Sequence, residues 1–347
     1  MTTKTYCMCS DVGLDDRENT IFLSTVKKEF DKYFREISLS KLKTYNNPKL
    51  LGYVDFMFVY NTTGKITKQY NSIECIIKNS LDGIDNITNK CKLHMSIMSS
   101  SSEVKQYISH TTLLNEVTSI KKGDILIVRP CARWANSGKG IVRVSTNQQL
   151  VDEKAKYSKL KMSTKNLEMI ASLYIRNPVL LHDKKTHFRM FMLVTEYPNN
   201  KYYLFKYGKI RTALKKYVDK NYDDNDIHDT HMHSTEHDYI FPIDIDKLTP
   251  KISYDDVIMQ MKKICEYLFE LIKDTVKPYP ESKHGYNVFG IDFMIDTYSR
   301  VYLIECNGNP GYQNIDDDNK NFRLFAKKYV KWVYKNAIEP IFDNKNT

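Results

Sequence analysis

Residues 287–312 read Asn287-Val-Phe-Gly-Ile-Asp-Phe-Met-Ile-Asp-Thr-Tyr-Ser-Arg-Val-Tyr-Leu-Ile-Glu-Cys-Asn-Gly-Asn-Pro-Gly-Tyr312, two apolar runs joined by a polar turn. The first run, Val288 to Ile295, is rich in aromatic and β-branched residues; the turn is Asp296 to Ser299; the second run is Arg300 to Cys306. This predicts a hairpin with a longer loop. Both strands carry carboxylates where a core would reject them. Asp292 sits between Ile291 and Phe293, while Glu305 and Asn307 flank Cys306 and so share one face of a strand. A buried carboxylate is costly unless it is paired or bound to a metal. Pairing the strands brings Asp292 near Glu305 and Asn307, a set of hard oxygen ligands suited to magnesium with bound phosphates. Asn307-Gly-Asn-Pro-Gly311 then forces a tight loop. An ordinary hairpin with one carboxylate facing solvent is the other reading of the same residues.

The chain around this hairpin has 347 residues, enough for one large domain or two or three small ones. Hydrophobic residues make up 41% and charged residues 27%, the balance of a soluble globular protein, and no apolar run has the length of a membrane span. Met1-Thr-Thr-Lys-Thr-Tyr-Cys7 lacks a secretory apolar segment. Seven scattered cysteines, an odd number, read as free thiols in a reducing, cytoplasmic compartment, and Cys7 with Cys9 is too little for a metal site. The net charge of +10 favours an anionic partner: nucleic acid, an acidic protein tail or nucleotide phosphates. The lysines are spread along the chain, so a solvated basic surface accounts for them equally. No arginine-rich or aromatic-interleaved motif supports nucleic acid.

Towards the N-terminus, residues 14–39 read as an amphipathic helix through Phe22, Val26, Phe30, Tyr33 and Ile37. Tyr53 to Tyr60 is an apolar strand followed by the turn Asn61 to Gly64. Nothing in residues 1–85 carries nameable chemistry, and Ser99 to Ser102 is a surface loop. Asp124 to Arg129 and Ile141 to Val144 are strands around a loop containing Gly138-Lys139-Gly140. Such a loop lets backbone N–H groups approach phosphate oxygens with lysine adding charge, although it lacks P-loop spacing and a plain turn fits as well. Ile170 to Pro178 reads as a strand. Lys185-Thr-His-Phe-Arg189 leads into the apolar strand Met190 to Thr195, Tyr202 to Lys206 is another strand, and Tyr207 to Thr212 a turn. Arg189 at the head of a buried strand must be paired or face a cleft. His228-Asp-Thr-His-Met-His-Ser-Thr-Glu-His237 admits an exposed loop, a substrate-recognition loop or a transition-metal site, although its spacing fits no zinc signature. Ser253 to Val276 and Asn321 to Asn336 are core-covering helices, and Pro278-Tyr-Pro280 links the first of them to the hairpin.

Phe289-Gly-Ile-Asp-Phe293 followed by Leu303-Ile-Glu-Cys-Asn-Gly-Asn-Pro310 resembles the magnesium-binding end of the tubulin–tyrosine ligase-like enzymes, members of the ATP-grasp ligases. The resemblance covers about residues 87–338 in the family's order. It implies that Asp292, Glu305 and Asn307 hold magnesium. It also implies that the segment from Arg129 through Lys139 and Gly140 clamps ATP, with arginine where the family has lysine. Leu173, Tyr174 and Ile175 become the hinge that meets adenine. Lys185 and Arg189 match the family's K-F-D-I-R, but its aspartate is His187 here. Arg211 falls in the family's G-x-x-R-T, and Arg189 and Arg211 would hold the γ-phosphate and the acceptor carboxylate. The histidine-rich segment stands where the family has H-L-T-N; His231 and Met232 match in type, whereas His233 and Ser234 replace threonine and asparagine.

The implied architecture is an α+β ATP-grasp fold with ATP between two antiparallel sheets and an N-terminal α/β subdomain. Its divisions are residues 1–85, a central subdomain 86–175 with the phosphate loop, and a C-terminal subdomain 176–347 with the metal hairpin. The implied function is ATP- and magnesium-dependent ligation of a free amino acid to an acidic protein carboxylate, a tubulin tail being the family's acceptor, by a monomer without membrane or nucleic-acid contacts. The second reading is an inactive nucleotide- or tubulin-binding member, supported by the changes at Arg129, His187 and His233-Ser234. Which amino acid is added is not written in these motifs.

Overall fold

The structure, a computed structural model, describes residues 4–10, 20–36, 53–60, 73–131, 141–163, 168–230, 239–279, 281–308, 310 and 320–343. Among the described residues the fold is mixed α/β, with a twelve-stranded sheet, a four-stranded sheet and a two-stranded pair.

The hairpin forms as the alternation predicts, but its first strand is longer, running Ser282–Ile295, and its second is Val301–Asn307. The extra length gives Ser282–Ile295 two jobs. Along one edge its residues Tyr286 to Phe293 pair antiparallel with the strand Lys184–Thr195. Along the other, its beginning pairs in parallel with Glu74–Lys78 and its end antiparallel with Val301–Asn307. Glu74–Lys78 continues in parallel into Tyr53–Tyr60 and then Thr5–Ser10. The N-terminal strands therefore extend the same sheet that carries the hairpin. On the far side Lys184–Thr195 pairs with Gly208–Lys216, which pairs with Tyr239–Phe241.

Period-two alternation assigns the two faces of this sheet. Phe188, Met190, Met192, Val194, Phe289, Ile291 and Phe293 are buried in one core with the helix Tyr254–Glu270, which presents Val257, Met261, Ile264, Cys265 and Leu268. Ser253 starts that helix by accepting from the Asp256 N–H, and Asp255 and Asp256 suit its positive end. On the opposite face Phe191, Leu193, Tyr286 and Val288 pack against the helices Lys320–Val333 and Thr20–Phe30 through Phe325, Tyr329, Val26 and Phe30. Further along the same two strands that face turns polar, with Lys185, His187, Arg189 and Asp292, and it is there that a cleft opens.

The four-stranded sheet, in the order Thr111–Leu113, Met169–Leu173, Leu126–Pro130, Val142–Val144, is antiparallel throughout. The helix Asn147–Ser163 covers one face, with Leu150 and Tyr157 against Val128, Val144 and Ala171. The other face looks into the cleft.

Three expectations change. Lys184–Thr195 is one continuous strand, so Lys185 and Arg189 lie inside the sheet rather than ahead of it. Tyr207 to Thr212 is not a turn, because Gly208–Lys216 is a strand whose Lys209, Ile210 and Arg211 pair with Arg189, Phe188 and His187. Cys91 and Cys131, 40 residues apart, are joined as a disulfide with a Cα–Cα distance of 5.3 Å, contrary to the reading of all cysteines as free thiols. Folding brings the first turn of the helix Lys90–Ser99 against the end of Leu126–Pro130, a proximity that scattered spacing does not reveal. Cys75, Cys265 and Cys306 are buried thiols outside any disulfide. No helix among the described residues is long and apolar enough to cross a membrane.

Candidate functional site

A cleft lies between the two sheets, lined by residues of both. The small sheet contributes Ile127, Arg129, Arg143 and Ser172, and the large sheet Lys185, His187, Asp292 and Met294. Leu173 and Ile175 line it as well, the apolar part of the wall.

The hairpin cluster forms as its alternation predicts. Asp292 stands opposite Glu305 in the ladder. The Asn307 amide donates to Glu305 Oε1 at 2.9 Å and to Asp292 Oδ2 at 3.3 Å. Asp292 is fully buried, and Arg189 answers its charge with a two-pronged bond, Nε to Oδ1 at 2.7 Å and Nη2 to Oδ2 at 2.5 Å. Lys90 forms an ion pair with Glu305 at 3.1 Å. Two carboxylates facing two cations and a nearby Arg129 leave the cluster leaning positive, which suits phosphate. Among the described residues no three His, Cys, Asp or Glu side chains form a metal cage. Two carboxylates and an amide, which a half-turn would present oxygen first, fit magnesium shared with phosphates rather than an all-protein site.

Gly290 explains how Pro310 comes so close to the first hairpin strand. A Cβ there would lie 2.6 Å from Pro310 Cβ and 3.5 Å from Arg189 Cδ, so glycine permits the close approach.

Arg129 enters the cleft wall from the small sheet, but its bonds are to protein: Nη1 to the Ile304 carbonyl at 3.4 Å and Nη2 to Ser172 Oγ at 3.5 Å. Burial lowers its pKa, partly offset by Glu305. Leu173 and Ile175 line the cleft, whereas the Tyr174 side chain is buried beside it. Lys185 Nζ donates to the Tyr174 hydroxyl at 2.9 Å, and that hydroxyl is 2.8 Å from His228 Nδ1. His228 Nε2 is 3.0 Å from the Lys220 carbonyl, which can only accept, so Nε2 carries the proton and Nδ1 receives that of Tyr174. With both ring nitrogens engaged, His228 is withdrawn from any transition-metal site. Burial, then the neighbouring Arg143, lowers the Lys185 pKa to about 7. Arg211 is half-buried opposite His187 on the next strand and does not line the cleft. Lys139 and Gly140, with His231, His233 and His237, lie outside the described residues.

Of the histidine-rich segment His228 to His237, the described residues His228, Asp229 and Thr230 line the cleft, three positions before His231, the residue that matches the family's H-L-T-N in type. Thr230 Oγ1 lies 2.6 Å from His187 Nδ1, and His187 Nε2 lies 3.8 Å from Asp292 Oδ1. The threonine in His228-Asp-Thr230 was the available signal. His94 was missed entirely, since a histidine on an apolar helix face looks like core.

The sequence model of the Tubulin-tyrosine ligase family matches residues 64–328. The chain is 28% identical over 176 residues to a probable tubulin–tyrosine ligase of Schizosaccharomyces pombe, covering 49% of this chain and 42% of that protein. It is 23% identical over 273 residues to tubulin glycylase 3D of Tetrahymena thermophila, covering 70% of this chain and 23% of that one. A probable alpha-tubulin polyglutamylase of the same organism is 26% identical over 226 residues, covering 61% and 54% respectively. The chain thus spans less than two thirds of the length of each of these relatives.

Proposed function

Because the chain belongs to the tubulin–tyrosine ligase family, we propose that it is an ATP- and magnesium-dependent carboxylate–amine ligase of the ATP-grasp type, adding an amino acid to an acidic protein acceptor such as tubulin. The observation that carries this reading is the Asp292, Glu305 and Asn307 cluster with Arg189 bonded to it, at a cleft lined by residues of two sheets. The names of the relatives, a tyrosine ligase, a glycylase and a polyglutamylase, share one chemistry and differ in the amino acid.

In this reading the apolar wall at Leu173 and Ile175 receives the base, and the triphosphate points toward the hairpin. A carboxylate oxygen of the acceptor attacks the γ-phosphorus and ADP leaves. The amine nitrogen then attacks the acyl carbon, the bond to phosphate breaks, and the nitrogen gives up a proton. Bound magnesium would neutralise phosphate charge, and Asp292, Glu305 and Asn307 are the residues to hold it. Arg189 keeps Asp292 ionised and oriented, and Lys185 offers an ammonium to the ligand. The +10 net charge would draw an acidic tail.

The test is incubation of the protein with Mg-ATP, tubulin and labelled tyrosine, glutamate or glycine. Incorporation of one label, lost in a folded Glu305→Gln variant, is the expected outcome. Full incorporation by that variant removes the metal role from Glu305. Nucleotide binding without incorporation of any label favours the inactive-binder reading.

A further inference from the structure

The two hairpin strands fall out of step at one residue. Asp292 pairs with Glu305 but Phe293 pairs with Leu303, so Ile304 is the extra residue of a bulge. A bulge re-aims the neighbouring side chain and releases backbone groups from the ladder. Here the Ile304 carbonyl is taken up from outside the sheet, by His94 Nε2 at 3.0 Å and Arg129 Nη1 at 3.4 Å. The next side chain, Glu305, pairs with Lys90 at 3.1 Å. Lys90 and His94 are four residues apart on the helix Lys90–Ser99, hence on one face, and grip consecutive residues of the strand.

The imidazole itself is poorly explained as core filling. His94 is 1% exposed, and among the described residues its Nδ1 meets no hydrogen-bond partner. Burying that nitrogen unmet costs free energy that leucine would not incur. Burial, then the Arg129 charge, lowers its pKa to about 3, so the ring is neutral. A carbonyl only accepts, so the single ring proton sits on Nε2 and is committed to Ile304.

We propose that His94 is a positioning residue for Glu305: by holding the carbonyl freed at the bulge, it fixes the peptide plane from which Glu305 projects and so sets the metal affinity of the site. The proposal rests on the nucleotide and magnesium reading above. Groups that orient a metal ligand without touching the metal typically change metal affinity about 10- to 100-fold when removed.

The experiment measures ATP binding to the full chain by calorimetry, once with excess Mg²⁺ and once with EDTA, and takes the ratio of the two affinities. His94→Asn places its amide near the old Nδ1 and cannot reach Ile304; His94→Gln can. The Asn variant should lower the ratio about 10-fold while metal-free affinity stays within about 2-fold, and Gln should restore most of it. Lys92→Ala, on an exposed position of the same helix, should match wild type. His94→Ser replaces the Asn variant if thermal melting shows that it does not fold. Equal ratios for wild type and His94→Asn overturn the proposal alone, as does a metal-free affinity that falls in step with the metal-bound one. A wild-type protein whose ATP binding ignores Mg²⁺ overturns the underlying reading, and this proposal with it.

Discussion

Lys185 carries its charge in a place that resists it. Its ammonium meets the Tyr174 hydroxyl at 2.9 Å and the face of the same ring at 4.1 Å, and Arg143 adds a like charge. With its pKa lowered to about 7 from 10.5, the folded protein releases this proton before the unfolded chain does. Between those two values the unfolded state binds more protons, so this group makes stability rise with pH across that window. In the proposed function a bound triphosphate would supply the missing negative charge and raise the pKa again. ATP binding at about pH 8 should therefore take up a proton, approaching one per site. Calorimetry in two buffers of different ionisation enthalpy measures it, and Lys185→Met should abolish both the uptake and the added stability at alkaline pH. Buffer-independent heats in the wild type would place Lys185 away from the phosphates. Arg189 and Asp292 solve the same problem differently, since their paired charges satisfy each other inside the sheet.

At the scale of elements, the hairpin depends on one missing side chain. Gly290 stands opposite Asn307 in the ladder and under Pro310. Gly290→Ala puts a methyl where Pro310 Cβ is 2.6 Å away, with Phe191 opposite on the neighbouring strand preventing an easy shift. The expected cost is about 1–3 kcal/mol in urea unfolding, the usual range for overpacking. Nucleotide affinity should fall as well, because the loop that must give way follows directly from Asn307. An alanine variant with unchanged unfolding midpoint and unchanged ATP affinity would show that the loop adjusts freely. The alternation of Val288 to Ile295 foretold a strand correctly, but its local pattern stops short of the true start at Ser282, where pairing with Glu74–Lys78 takes over.

For the whole molecule, Ser282–Ile295 is the shared strand of an antiparallel part and a parallel part. The core on one sheet face mixes Tyr6, Phe56, Phe58, Ile76 and Ile77 with Phe191, Leu193, Phe325 and Tyr329. Deleting residues 1–78 would remove five of these side chains and expose an edge of Ser282–Ile295. The truncated chain should lack a cooperative thermal transition and bind a hydrophobic dye, as expected when an edge and a core face are uncovered together. A sharp transition near the full-length melting temperature would show that residues 1–85 are a unit of their own.

What the sequence by itself determined is local. Period-two alternation with Asp292, Glu305 and Asn307 placed the hairpin and its oxygen cluster, because a short turn leaves a strand pair little choice of register. Three- and four-residue spacing placed the helix Tyr254–Glu270 and its cap at Ser253. What only the tertiary structure decided is which distant groups answer those carboxylates. Arg189 and Asp292 are 103 residues apart, His94 and Ile304 210. The Cys91–Cys131 pair is likewise invisible to spacing. The bulge at Ile304 cannot be read locally either, since Leu303-Ile-Glu305 scans as an ordinary strand. Local periodicity records which face a residue takes, whereas a partner across the fold is chosen by charge balance and unmet hydrogen bonds once the sheets have closed.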